Sequence, residues 1–236
     1  MEIKGKTIII TGAARIGQDI AKALKDRGAN LVITYFKDPN EAGPFGFGVQ
    51  ADVSKKDDIV KVVQATKDKF GSIDGLIHMA AIYQKSEWEV LNETVWDKNM
   101  SVIAKSAFLF AKVAGDEMLK NHRDIKGKMI FFSDWSVLTR PYKEYIAYNA
   151  AKSAVVGLTK SFAKALAPGV LVNAIAPGPM LRPPDLTDQE NEEVLAGTLL
   201  KRWGGADEIT KGVLYLLEAD FVTGQVLTID GGRTIA

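Results

Sequence analysis

The stretch Thr11-Gly12-Ala13-Ala14-Arg15-Ile16-Gly17-Gln18 follows the apolar run KTIII (6–10) and leads into the amphipathic run IGQDIAKALKDRG (16–28). A glycine-bearing turn between a buried strand and a helix leaves free N–H groups at the helix N-terminus, where an anion is stabilised. Two common phosphate fingerprints do not fit it. Gly12 and Gly17 have Walker A spacing, but Gln18 and Asp19 stand where a lysine and a magnesium-binding hydroxyl are needed. The G-x-G-x-x-G spacing is absent too. What remains is a strand–turn–helix unit able to hold an anion, and the rest of the chain must say which.

The same alternation runs through the chain. NLVITY (30–35), FGVQA (47–51), DGLIHMA (74–80), GKMIFF (127–132), VLVNAIA (170–176) and QVLTI (225–229) are apolar with little alternation, the pattern of strands buried on both faces. Helical patterns lie between them at 55–71, 94–120, 148–167 and 206–217. Strands alternating with helices imply right-handed βαβ units, a parallel sheet and helices on both of its faces. No repeat or linker divides residues 1–236, so one domain is expected. The segment from Pro177 to Leu200 is proline-rich and then acidic. Following the sixth strand, it reads as a lid over the carboxyl ends of the strands, spanning about 179–204.

Composition narrows the function classes. With 47% hydrophobic and 25% charged residues and a net charge of +1, no bulk field points to nucleic acid or a membrane surface. No apolar run reaches membrane-spanning length. The lack of cysteine removes disulfides and thiolate metal sites and suits a reducing cytoplasm. His78 and His122 are the only histidines, too few to expect a histidine-based metal site. The expected partner is a small molecule.

Chemistry enters at EYIAYNAAKSAVVGL. Tyr148 and Lys152 stand one helical turn apart on one face. A lysine beside a tyrosine favours the phenolate and is expected to lower the phenol pKa from about 10. A phenol so tuned donates a proton to a carbonyl oxygen or imine nitrogen as hydride reaches the carbon. Ala147, Ala150, Ala151, Ser153 and Ala154 permit close approach, and the preceding strand ends in the polar SDWS (133–136).

Taken together, TGAARIG, ADV at Asp52, HMAA at 78–81, Tyr148/Lys152, NAIAPGPM and FVTGQVLTIDGG resemble, in order and over nearly the whole chain, the short-chain dehydrogenase/reductase family. The resemblance implies a single Rossmann-type, doubly wound α/β domain with a seven-stranded parallel sheet. It also implies a nicotinamide dinucleotide, whose pyrophosphate the opening turn would hold through Gly12, Arg15, Ile16 and Gly17. Asp52 and Val53 would meet the adenine, and Met79, Ala80, Ala81, Pro177 and Gly178 would line the rest of the dinucleotide. A homotetramer built from the long helices and the last strand is the assembly it implies.

The turn is one residue short of the family's usual motif and lacks its third glycine, which resembles a pteridine-reductase-like branch with arginine in this loop. NAD-selective folds place a carboxylate at the end of the second strand. Here Thr34, Tyr35, Phe36 and Lys37 occupy that end, with no acid before Asp38. Lys37, helped by Arg15, would neutralise a 2′-phosphate, so NADP(H) is favoured. Ser54 is the better candidate than Asp52 to cap the next helix.

Other positions also depart from the family pattern. HMAA replaces N-N-A-G, which makes His78 a wall or core residue rather than a base. Ile103 replaces the asparagine of the fourth helix, with Ser101 and Asn99 the nearest polar residues. Asp134 stands where the catalytic serine is expected and, if protonated by burial, would donate a hydrogen bond to substrate; Ser136 is the alternative. Tyr83, Trp135, Ser136 and Tyr145 are the expected substrate wall, suited to a planar ring. The expected function is thus NADPH-dependent reduction of a C=O or C=N group, a pteridine being one candidate. A 3-oxoacyl-thioester or general ketone reductase and a non-catalytic dinucleotide-binding module are the alternatives.

Overall fold

A computed structural model describes all residues, 1–236. The chain order is β1 (Thr7–Thr11), α1 (Ile16–Asp26), β2 (Asn30–Tyr35), β3 (Phe47–Gln50), α2 (Lys56–Phe70), β4 (Gly75–His78), α3 (Glu93–Asn99), α4 (Ser106–Met118), β5 (Gly127–Phe132), α5 (Ser136–Thr139), α6 (Ile146–Leu166), β6 (Val170–Pro177), α7 (Asp188–Ala196), α8 (Ala206–Glu218) and β7 (Val226–Ile229). The strands form one sheet in the order β3-β2-β1-β4-β5-β6-β7, and every pairing is parallel. All seven apolar runs read from the sequence are strands of this sheet.

Because strand side chains alternate between faces, neighbouring residues feed different cores. Ile9, Leu76, Met129, Phe131 and Val172 pack with Ile59, Val62, Phe110 and Val155 from α2, α4 and α6. Ile8, Ile10, Ile77, Ile130 and Ile175 pack with Ile20, Leu24, Val213 and Leu217 from α1 and α8. The doubly wound form follows from strands apolar on both faces, since each face needs its own cover.

Two features lie outside the sequence pattern. Between β2 and β3 the crossover is a short 3-10 segment, Pro39–Phe45, instead of an α-helix. Gln18 Nε2 ties it to α1 by donating to the Ala13 and Glu41 carbonyls. The long helix 93–118 is also not uniform, because Met100–Lys105 winds as a π-turn between α3 and α4. There the Ser106 hydroxyl bonds back to the Val102 carbonyl at 2.5 Å, a local bond that competes with the α-ladder. A π-turn inside a helix often marks a functional position, and this one contains Ile103.

The strand order reverses direction between β1 and β4, which opens a crevice at their carboxyl ends. The glycine turn, the 79–81 turn, and the ends of β5 and β6 all meet there.

Candidate active site

At the head of α1, Gly12 has φ +69, and an added Cβ would lie 2.7 Å from the Ala80 backbone. Only glycine lets the first turn rest on the Met79–Ala80 turn. Arg15, the residue before α1, holds φ 54 and ψ −115, a left-handed conformation costly for a side chain with a Cβ. Its side chain is exposed at the helix N-terminus, where an anionic phosphate gains most. Gly178 approaches the Asp230 backbone so closely that a Cβ would sit 2.5 Å from Asp230 Cα. These turns, with Ile16 and Pro177, form a groove whose helix terminus and cation suit a dinucleotide.

Just past the end of β2, Lys37 lies over the Phe36 ring, with its ammonium 5.6 Å from the centroid, and makes no ion pair. Asp38 is turned onto its own loop, accepting from Asn40 N at 2.9 Å. Tyr35 is half-buried beside them. A second acid, missed in the sequence, folds back to this place: Glu41 accepts from Phe36 N at 3.3 Å. Its signal was hidden because it lies in the following 3-10 segment. Asp52 accepts from Ser54 N and Ser54 Oγ at 3.0 and 2.7 Å, which lowers its pKa. Ser54 therefore does not cap α2. Lys55 holds that position without a side-chain bond, because the Ser54 hydroxyl is committed to Asp52. Val53 is half-buried next to Asp52.

The catalytic candidates converge where β5 ends. The Tyr148 hydroxyl donates to Asp134 Oδ2 at 2.7 Å, while Asp134 Oδ1 accepts from Ser136 N at 2.8 Å. Asp134 acts here as an acceptor, contrary to the donor role expected of a protonated carboxyl. Burial first, then the Asp134 charge and hydrogen bond, push the Tyr148 pKa well above its ordinary value. That reverses the expected lowering by lysine. The reason is geometric: the buried Lys152 ammonium donates to the Phe132 carbonyl at 2.7 Å and lies 5.7 Å from the Tyr148 ring centroid. Burial brings Lys152 itself down to about 8, and the Asp134 charge acts against that shift.

Ser136, the alternative to Asp134, is fully buried as the first residue of α5, and its hydroxyl has no partner. It does not line the cavity above Tyr148. That cavity, about 370 Å³ in volume, is bounded by Arg15, Ile16, Tyr83, Asp134, Trp135, Tyr142, Tyr148, Pro177, Gly178 and Arg233. Its roof comes from Met180, Leu181, Pro183, Leu186, Val194 and Trp203, all within the 179–204 segment.

Tyr83 stands edge-on to Tyr148, with ring centroids 5.1 Å apart, and stacks on Tyr145 at 4.6 Å. Tyr145 thus backs the wall instead of lining it. Trp135 Nε1 donates to the Tyr142 hydroxyl at 2.9 Å, and burial pushes the Tyr142 pKa up to about 12.

Two cavity residues escaped the sequence reading. Tyr142 was legible as the first of three tyrosines at three-residue spacing, 142, 145 and 148. Arg233 follows the last strand and had no local signal; only the return of the chain end to the cavity brings it there.

Below the Met79–Ala81 turn, His78 is buried. Its Nδ1 lies 2.8 Å from Thr11 Oγ1 and its Nε2 lies 2.9 Å from Ser106 Oγ. Burial, and then the Lys152 charge, lower its pKa to about 3, so it is a neutral core residue and no base. No cluster of His, Cys, Asp and Glu has the composition of a metal site, and no helix is long and apolar enough to cross a membrane.

A parallel doubly wound sheet, with a tyrosine and a lysine one turn apart beside a dinucleotide groove, defines a nicotinamide-dependent oxidoreductase. The family model described as enoyl-(acyl carrier protein) reductase matches residues 12–234. The chain is 34% identical to 2-dehydro-3-deoxy-D-gluconate 5-dehydrogenase of Bacillus subtilis, over 98% of this chain and 95% of that one. It is 32% identical to 3-oxoacyl-[acyl-carrier-protein] reductase of Vibrio cholerae, over 98% of each chain. Among solved structures, ligand-free aldohexose dehydrogenase of Thermoplasma acidophilum superposes with TM-score 0.90 at 27% identity, covering 99% of this chain and 96% of that chain. The short-chain dehydrogenase/reductase of Serratia marcescens does so with TM-score 0.89 at 27% identity, covering 99% and 100%. The chain belongs to the short-chain dehydrogenase/reductase family.

Proposed function

We propose that this chain is an NADP(H)-dependent reductase that acts on a C=O or C=N group of a small planar substrate, a pteridine being the first candidate. The observation that carries the reading is the Tyr148–Asp134 hydrogen bond on the floor of an aromatic cavity. NADPH would supply the hydride. Tyr148, held as the neutral phenol, donates its proton to the substrate oxygen or nitrogen. The single hydroxyl proton, which rests on Asp134 Oδ2, must turn from it to the substrate atom for this transfer, and Asp134 is itself held by Ser136 N. Lys152 places positive charge behind the phenol and stabilises the phenolate left by the transfer. Tyr83, exposed and backed by Tyr145, offers a face for a flat ring, while the Trp135 indole carries the Arg233 guanidinium.

The preference for NADP(H) rests on Lys37, a cation without an ion-pair partner just past the end of β2; Arg15 stands instead at the N-terminus of α1 and is not counted towards a 2′-phosphate. Glu41 is the group that opposes it, since its carboxylate sits at the end of β2. A homotetramer would draw on the groove between the π-turn and α6, where Phe108 is exposed beside the half-buried Met100 and Leu158. Light scattering of the purified protein tests that assembly.

The deciding experiment follows oxidation of NADPH and of NADH with a dihydropterin and with a short 3-oxoacyl thioester. Turnover of the pterin with NADPH is the expected result. Turnover of the thioester alone would replace the planar-substrate reading, and binding of NADPH with no turnover of either would replace the reductase reading.

A further inference from the structure

Of the residues that bound the cavity, only Arg15, Asp134 and Arg233 carry full charges. Arg15 stands at the α1 N-terminus, in the groove for phosphates, and Asp134 is engaged by Tyr148 and Ser136. Arg233 is engaged through one nitrogen only. Its Nη1 donates to the Val194 carbonyl and to Thr198 Oγ1, so it grips the end of α7 and the residues after it. Its guanidinium carbon lies 4.9 Å from the Trp135 ring centroid, which sets the guanidinium over the indole. Nε and Nη2 have no partner. These two nitrogens share one edge of the planar group, so together they make a fork with parallel N–H bonds.

The rest of the wall is mostly apolar and aromatic. Arg233 bounds the cavity, and a ligand there that reaches this free edge displaces water from it. If the ligand is apolar there, cationic donors are left desolvated and unpaired, which is strongly unfavourable. A ligand with two adjacent acceptors instead gains a bidentate, charge-assisted pair.

We infer that Arg233 is a specificity-determining residue, which reads a two-acceptor edge of the substrate: a carboxylate, or an oxo group beside a ring nitrogen. The inference rests on the cavity being the substrate site of the proposed reductase, and it deepens that reading by naming what the substrate must present. Since Nη1 of the same guanidinium holds Val194 and Thr198, substrate recognition and roof position meet in one side chain. Stacking on Trp135 limits rotation of the guanidinium, so the fork is set before the ligand arrives.

The test is calorimetric binding, in the presence of NADP+, of 2-naphthoate and of its neutral carboxamide. These probes share the planar rings and differ in the second acceptor and the charge. The expected result for the protein as it is would be about tenfold tighter binding of the carboxylate, the scale of one charge-assisted hydrogen bond. Arg233→Met keeps a flexible apolar chain over Trp135 and should bring the two affinities to within about twofold. Arg233→Lys should restore part of the preference.

Equal weakening of both probes in Arg233→Met would show a residue that only holds the roof, and would overturn the inference. So would a carboxylate preference that survives in Arg233→Met, or no binding of either probe to the unaltered protein. Melting and NADP+ binding of each variant identify one that has failed to fold, and Arg233→Lys then carries the comparison. None of these readouts uses turnover, so absence of NADPH oxidation would remove the reductase reading without deciding this one.

Discussion

Asp134 Oδ2 accepts the Tyr148 hydroxyl at 2.7 Å, so the proton the reaction needs is held by a carboxylate and not by the lysine one turn along the helix. The phenol is therefore stored in its acid form. In the proposed reduction the hydroxyl must turn from Asp134 to the substrate atom as hydride arrives, and the raised pKa makes that release depend on Lys152.

Replacing Tyr148 by phenylalanine removes that proton while keeping the ring against Tyr83. We expect kcat to fall by about 10²–10⁴, the usual scale of general acid catalysis, while the NADPH dissociation constant stays at its original value. Steady-state rates with the best substrate and fluorescence titration of NADPH give the two numbers; retained kcat would end the assignment.

Asp134→Asn removes the negative charge beside the phenol. Since that charge raises the Tyr148 pKa, the tyrosinate step should move to lower pH, back towards about 10. Ultraviolet difference titration against Tyr148→Phe isolates that step. A step that stays in place would mean that burial alone sets it.

Lys152 is buried with its pKa lowered to about 8. Below that value the folded protein must hold a charge that burial disfavours. Between about 8 and 10.5 the unfolded chain binds the extra proton, so stability rises with pH through that window. Lys152→Met should remove this rise and increase stability at pH 7 by roughly 1–3 kcal/mol, even though reduction is lost. Denaturant melts at neutral and alkaline pH would show it.

His78, with its pKa lowered to about 3, titrates the same way at acid pH. The unfolded histidine takes up a proton near 6.5 and the folded one does not. Stability contributed by the neutral ring is thus present above about 6.5 and is lost as pH falls towards 3, at up to about 1.4 kcal/mol per pH unit. The groups facing the ring are Thr11, Ser106, Phe110, Phe131 and, as a nearby charge, Lys152. His78→Asn should flatten this acid slope in urea melts.

Arg15 combines strain with charge. Arg15→Gly relieves a left-handed residue worth roughly 1–3 kcal/mol, offset in part by the greater entropy glycine loses on folding. The apo protein should melt about 1–4 °C higher, while NADPH binds roughly tenfold more weakly for want of a charged donor. Thermal melts with and without NADPH separate the two effects.

The sheet was legible because seven apolar runs, buried on both faces, each had to become a strand, and the helical runs between them had to cover both faces. Tyr148 and Lys152 were legible because a one-turn spacing fixes their common face. The direction of the phenol's pKa shift was not, since it depends on where the Lys152 ammonium and the Asp134 carboxylate point, and both are set by backbone groups of β5 and α5. The same holds for Ser54, whose hydroxyl had two possible partners within three residues. Glu41 and Arg233 reach their sites through chain reversals that leave no periodic trace, and the π-turn at Met100–Lys105 left none either.

The roof helix α7 has no buried residue. Its start is fixed by the reciprocal Thr187–Glu190 cap, its middle by the bond from Trp203 Nε1 to Asn191, and its end by Arg233. Neither hydrophobic core includes a residue of this helix. Most of its exposed positions can therefore change without loss to the sheet, which leaves selection free to redraw the mouth of the pocket while the catalytic floor stays as it is. In this chain the residues that roof the cavity and the residues that hold the sheet together are almost separate sets.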